Sequence, residues 1–202
     1  SQSSGKVGFA QDFNGTDASL SINNSASINL TDNFTVSTWV KFDTLGQSDI
    51  FEKGGFGGYT LWQDNATLWF GSQNAPPSSW ALSSTSLTTG AWYKIDGVIS
   101  QGIVSLYVNG VLEATSSAPA VFNNAGSLVI GNGYDGHFDG TIDEVRIVNA
   151  VRTADQIAAE YANQNSPSTF MAIGGQQSRD IHLVTVDEDS TTASELASSL
   201  LQ

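Results

Sequence analysis

Tyr59-Thr60-Leu61-Trp62-Gln63-Asp64-Asn65-Ala66-Thr67-Leu68-Trp69-Phe70-Gly71 alternates side-chain character on both sides of a polar turn pair. Successive side chains of a strand point to opposite faces, so alternation of this kind reads as two half-buried strands. Asp and Asn tolerate φ > 0, which places a two-residue hairpin turn at Asp64-Asn65, between Gln63 and Ala66. In that register Trp62 faces Thr67, Leu61 faces Leu68, Thr60 faces Trp69 and Tyr59 faces Phe70. One face then carries Tyr59, Leu61, Leu68 and Phe70 and reads as core. The other carries Thr60, Trp62, Thr67 and Trp69, and two indoles turned away from a core are unusual on an indifferent surface.

The same rhythm runs outward in both directions. Strands are expected over residues 6–13, 18–22, 34–42, 49–52, 79–83, 92–100, 104–109, 111–115, 127–131 and 141–149, with no strand-helix-strand alternation before residue 150. Asn109-Gly110 supplies the φ > 0 pair of a second hairpin between Val108 and Val111. The clear helix spans 155–163, opened by a capping box of Thr153 and Gln156, with Ile157 and Tyr161 turned towards the sheets. Asn165-Ser166-Pro167 ends it, and 168–173 reads as a closing strand. The domain boundary is expected at 174. Residues 175–202 form an extension with a strand-like segment at 180–186, an acidic turn at 187–189 and a capping box from Thr192 to Glu195.

Composition limits the partners. The chain has 202 residues, 7 Lys plus Arg against 20 Asp plus Glu, a formal charge of −13 and no cysteine. Disulfides, thiolate metal sites and Cys nucleophiles are excluded. An acidic chain lacks the basic footprint of a nucleic-acid binder. No apolar run approaches the roughly 18 residues of a membrane span. The polar opening at Ser1 and the low Lys content fit a mature, secreted protein, extracellular or at the cell surface. Sequons at Asn14, Asn23, Asn29, Asn33 and Asn65 agree with glycosylation, although a chain this rich in Asn, Ser and Thr forms them by chance.

Several segments resemble the laminin G-like group of the concanavalin A-like lectin/glucanase superfamily. They are Phe13-Asn14-Gly15-Thr16-Asp17, Phe34-Thr35-Val36-Ser37-Thr38-Trp39-Val40-Lys41, Ala91-Trp92-Tyr93-Lys94, Leu106-Tyr107-Val108-Asn109-Gly110 and Gly140-Thr141-Ile142-Asp143-Glu144-Val145-Arg146-Ile147. The resemblance covers about residues 6–173 and implies an all-β, two-sheet antiparallel jelly-roll sandwich. It leaves function open, because a fold hosts many functions. It also implies a structural calcium ion shared by the first and last strands, with Asn14, Gly15 (through its carbonyl), Asp17 and Asp143 as ligands. The alternative for Asp143 is a hydrogen bond to Arg146, Lys6 or backbone N–H groups. Trp39 and Trp92 fall in strands that match the family's core.

Sugar recognition is the main functional expectation. Carbohydrate modules stack sugar rings on aromatic side chains and bond hydroxyls with flanking polar groups. Trp62, Trp69 and Trp80 are candidates for the platform, with polar contacts from Tyr134, Asp135 and His137 in the Gly-rich loop 131–140, to which Asp139 also belongs. The alternatives are tryptophans packed under residues 75–79 or against the tail, and a solvated loop. Related laminarinase-type enzymes carry Glu-x-Asp-x-x-Glu on one strand face, and that motif is absent. Asp139, Asp143 and Glu144 are wrongly spaced for it, so the expected protein is a non-catalytic module that binds a glycan or glycoprotein, or acts in adhesion. A second reading is a filament or surface-layer subunit, in which 175–202 donates a strand to another copy across the hinge 174–178.

Overall fold

The computed structural model describes residues 1–55, 58–72, 80–117 and 125–170. The expected hinge, donated strand and acidic turn of the extension lie outside the described residues. Within Ser1–Phe170, which forms one compact unit, two antiparallel sheets make the sandwich.

The first sheet has seven strands: β1 (Gln2–Ser4), β2 (Phe9–Asn14), β4 (Phe34–Phe42), β9 (Trp92–Ser100), β10 (Ile103–Val108), β11 (Val111–Ser117) and β13 (Asp139–Val148). Their order is β1-β2-β13-β4-β9-β10-β11. The second has six: β3 (Leu20–Ile22), β5 (Gly46–Lys53), β6 (Tyr59–Asn65), β7 (Thr67–Ser72), β8 (Ala81–Leu82) and β12 (Leu128–Ile130), in the order β3-β12-β5-β6-β7-β8. The strands therefore fall close to where side-chain alternation put them. The additional β1 is three polar residues long and has no apolar pattern to announce it.

Phe34, Val36, Val40, Phe42, Ile95, Leu106 and Ile142 from the first sheet bury themselves against Phe51, Tyr59, Leu61, Leu68, Phe70 and Ile130 from the second. A Cβ at Gly97 on β9 would stand 2.5 Å from ring carbons of Phe70, so only glycine lets that ring seat against β9. Tyr59 passes its hydroxyl through the core edge to the Ile28 carbonyl, 2.9 Å away, and burial pushes that hydroxyl far above its ordinary pKa.

One helix covers the outer side of the seven-stranded sheet. Helix α1 (Ala154–Asn165) starts at the Thr153 cap, whose side chain accepts from the Gln156 N–H while the Gln156 side chain accepts from Thr153 N. Ile157 is 1% exposed and packs on Val98 and Tyr107, while Tyr161 stacks on Trp39 at 5.7 Å. Beneath it Lys94 Nζ bonds Asp96 Oδ1 at 2.9 Å, and Arg146 and Arg152 both pair with Glu160. Burial raises the Asp96 pKa, and the Lys94 ammonium opposes that shift. The expected closing strand is corrected over its first half: Pro167–Phe170 forms a short helix α2. Proline opens that turn at a position where no N–H is needed.

Candidate functional site

The outer side of the six-stranded sheet carries the tryptophans. The β6–β7 register is Trp62↔Trp69, Leu61↔Phe70 and Asp64↔Thr67, two residues away from the expected pairing. The turn sits one residue later than expected, with Asn65 taking the left-handed conformation at φ 53°. A slip of two residues preserves which side chains share a face. Trp62 and Trp69 therefore remain on the side away from the core and become direct cross-strand neighbours. Their rings lie 5.1 Å apart at 34°. Trp80 stands steeply to both, at 6.3 Å and 81° from Trp62 and 6.4 Å and 68° from Trp69. Its ring covers Gly71, where a Cβ would come within 3.0 Å of it. All three tryptophans are partly exposed. The arrangement is a floor of two indoles with a third as a wall, rather than one flat platform. Trp69 Nε1 is buried and has no hydrogen-bond partner among the described residues.

Two carboxylates that the alternation did not single out border this floor. Strand β5 shifts register between Asp49 and Phe51. Asp49 pairs with Trp62 and Glu52 with Thr60, and both partners are on the outer face. Plain alternation puts positions 49 and 52 on opposite faces, and the bulge brings them to the same one. Asp49 is fully buried, and its Oδ2 accepts the Asp135 N–H at 2.6 Å. Glu52 Oε2 accepts the Tyr134 N–H at 2.7 Å. These bonds draw the loop between β12 and β13 onto the sheet. A Cβ at Gly133 would lie 2.6 Å from both Asp49 Cγ and Glu52 Oε2, so the close approach requires glycine there.

The electrostatics follow from that burial. Loss of hydration pushes the Asp49 carboxyl up to about 7; the Asp135 N–H opposes the shift and the Asp135 and Glu52 charges add to it. Asp49 Oδ1 is buried without a hydrogen-bond partner among the described residues. Burial also raises the Asp135 pKa, and the neighbouring Asp64 charge adds to that. Tyr134 is 70% exposed at the tip of the loop. His137 is partly buried, with Nδ1 enclosed and without a partner among the described residues. The structure thus joins the loop positions 134 and 135 to the tryptophan face through Asp49 and Glu52.

The four residues considered for calcium do not converge. Asn14 Oδ1 accepts the N–H groups of Thr16, Asp17 and Ala18 at 3.1 Å each, and Asn14 Nδ2 donates to Asp17 Oδ1 at 2.9 Å. That set closes the turn holding Gly15 with its own hydrogen bonds. Across the sheet Asn14 pairs with Asp139, and Asp143 lies four residues further along β13, roughly 13 Å of strand away. Asp143 faces outward beside Trp39, and its Oδ2 accepts the Val7 N–H at 2.9 Å. Its partner is a backbone amide, one of the alternatives open from the sequence. Among the described residues no cluster of three or more His, Asp or Glu is placed to hold a metal ion. The donors present do not fit a shared calcium site.

Trp39 and Trp92 occupy neither the inter-sheet core nor the tryptophan face. Their positions on β4 and β9 turn both to the outer side of the seven-stranded sheet. Trp39 is sealed under α1, with Nε1 donating to Gln164 Oε1 at 2.6 Å. Lys41 Nζ lies over the Trp92 ring at 5.5 Å.

The profile of a laminin G family, described as concanavalin A-like lectin/glucanases superfamily, matches residues 14–158. The chain belongs to this superfamily. No curated protein matches the chain significantly. Among solved structures, this superfamily member is similar to domain 4 of AbnA, a GH43 extracellular arabinanase from Geobacillus stearothermophilus, in complex with arabinotriose. The identity is 27%, the coverage 80% of each chain and the TM-score 0.63. It also has the fold of the binding domain of Paraclostridial Mosquitocidal Protein 1 (15% identity, 81% of this chain and 45% of that one, TM-score 0.67). The binding domain of botulinum neurotoxin DC in complex with SialylT shares that fold (14% identity, 77% and 42%, TM-score 0.58). The chain spans less than half the length of either toxin structure. Among the described residues no helix is long and apolar enough to cross a membrane, which says nothing of β-barrels.

Proposed function

We propose that the protein is a non-catalytic carbohydrate-binding module of an extracellular or cell-surface protein. Sugar is held on the outer face of the six-stranded sheet by Trp62, Trp69 and Trp80. The carrying observation is the contact of three partly exposed indoles on one sheet face, next to a polar loop tied to the same sheet. Covering apolar ring surface contributes about 25 cal/mol per Å², so two or three indoles supply a useful share of binding energy without new charge. The similarity to an arabinanase domain solved with arabinotriose supports the ligand class.

Asp49 and Glu52 favour binding over hydrolysis. A retaining glycosidase needs two carboxyl groups roughly 5 Å apart with access to the bond between them. Asp49 and Glu52 are instead enclosed beneath Gly133, and each carries an oxygen engaged by a loop N–H. Affinity electrophoresis in gels containing arabinan, xylan or β-glucan tests the reading. Retardation by at least one polysaccharide, lost in Trp62→Ala with an unchanged circular dichroism spectrum, is the expected result. Equal mobility in every gel would overturn it.

A further inference from the structure

Among the described residues the tryptophan face carries carboxylates and no Lys or Arg. Asp49 and Glu52 border it from β5, Asp64 extends from β6 on the same side as Trp62, and Asp135 approaches Asp64 from the loop. The chain has only seven Lys and Arg residues, and six of them are described. Lys6 lies over Trp39 and Lys41 over Trp92. Lys94, Arg146 and Arg152 join Asp96, Glu144 and Glu160 around α1. Lys53 is 2% exposed and donates to the Gly126 carbonyl at 2.6 Å. Among the described residues, then, no cation is placed on the tryptophan face.

We propose that the ligand of this face is an uncharged glycan, and that Asp64 and Asp135 reject sugars carrying a carboxylate or sulfate. The proposal rests on the glycan-binding reading and narrows its ligand class. Recognition of an anionic sugar depends on charge-assisted bonds from Arg or Lys, and among the described residues the charged groups of this face are all carboxylates. The −13 charge adds repulsion at longer range. Neutral hydroxyls meet the opposite situation: each O–H is a donor, and a carboxylate oxygen is a strong acceptor for it. Asp64 and Asp135 are both partly exposed, whereas Asp49 and Glu52 are enclosed under the loop, so the first two face an incoming sugar.

Titration calorimetry with the full chain tests this using neutral arabino-, xylo- and gluco-oligosaccharides against oligogalacturonate and sialyllactose, in about 20 mM and about 500 mM salt. The expected result is binding of a neutral oligosaccharide with an affinity that salt changes by less than about twofold, while the anionic sugars bind at least about tenfold more weakly at low salt. That gap narrows at high salt, and it narrows at low salt in Asp64→Asn/Asp135→Asn. An anionic sugar bound as tightly as the neutral ones, with the binding lost in Trp62→Ala, would overturn this inference and leave the glycan-binding reading standing. Absence of binding to every sugar would overturn both. The salt series on the unaltered protein decides the matter even where the double variant folds poorly.

Discussion

Trp39 and Trp62 sit on inner strands of opposite sheets, each on the side turned away from the shared core, and they meet different fates. Trp39 is 1% exposed, stacked on Tyr161, bonded to Gln164 and capped by the Lys6 ammonium. Trp62 is partly exposed and packs against two further indoles. The difference comes from the chain after β13. Helix α1 crosses the seven-stranded sheet and closes it with Ile157 and Tyr161, whereas among the described residues no helix crosses the other sheet. An indole facing away from a core is a ligand candidate only while its ring keeps exposed surface, as Trp62 does and Trp39 does not.

That contrast can be broken or sharpened by substitution. Trp39→Ala removes a fully enclosed ring and should cost about 3–5 kcal/mol of unfolding free energy; denaturant titration measures it, and a loss below about 1 kcal/mol would put Trp39 in the same category as Trp62. Trp62→Ala should act mainly on the ligand, weakening sugar binding by at least about tenfold, or about 1.4 kcal/mol, with a smaller loss of stability. Calorimetric titration and melting of the same sample separate the two effects.

Asp49 gives the tryptophan face a pH signature. Its carboxyl titrates at about 7 in the folded chain against 3.8 for the free side chain. The folded state therefore holds a proton that the unfolded state has released. Stability falls as pH rises from about 4 to about 7 and levels off above, by no more than about 1.4 kcal/mol per pH unit. Asp49→Asn has no such carboxyl to titrate, so its melting temperature should drop less between pH 5 and pH 7.5 than that of the parent, the remaining fall coming from Asp96 and Asp135. Parallel curves for the two proteins would refute the assignment. The smallest effect is expected at the helix that covers the other sheet: Thr153→Ala should cost about 1 kcal/mol and leave sugar affinity unchanged.

Much of the body was legible because period-two alternation and turn chemistry are local. β4 and β9 match the expected bounds, Asn109-Gly110 makes the hairpin turn at φ 52° and 80°, and the Thr153–Gln156 box opens α1. The β6–β7 pairing missed by two residues because both Asp64 and Asn65 accept a turn, and only cross-strand packing chooses between them. The face assignment survived since the slip was even. Asp49 and Glu52 were missed for a related reason: a bulge at Ile50 reverses the parity on which face assignment depends. The calcium ligands suggested by the resemblance came from the two strands that do pair, but at heights along β13 that sequence order cannot supply.

Residue order alone settled that this chain builds antiparallel sheets with indoles on a non-core side, because strand geometry ties face to position along the chain. It also settled the scarcity of positive charge, which composition carries directly. Tertiary structure decided which outward-facing tryptophans stay accessible, which carboxylates border them, and that Asp143 is bonded to an amide of the N-terminal segment. Those outcomes depend on contacts between residues far apart in sequence, where bulges, register and one covering helix determine who meets whom.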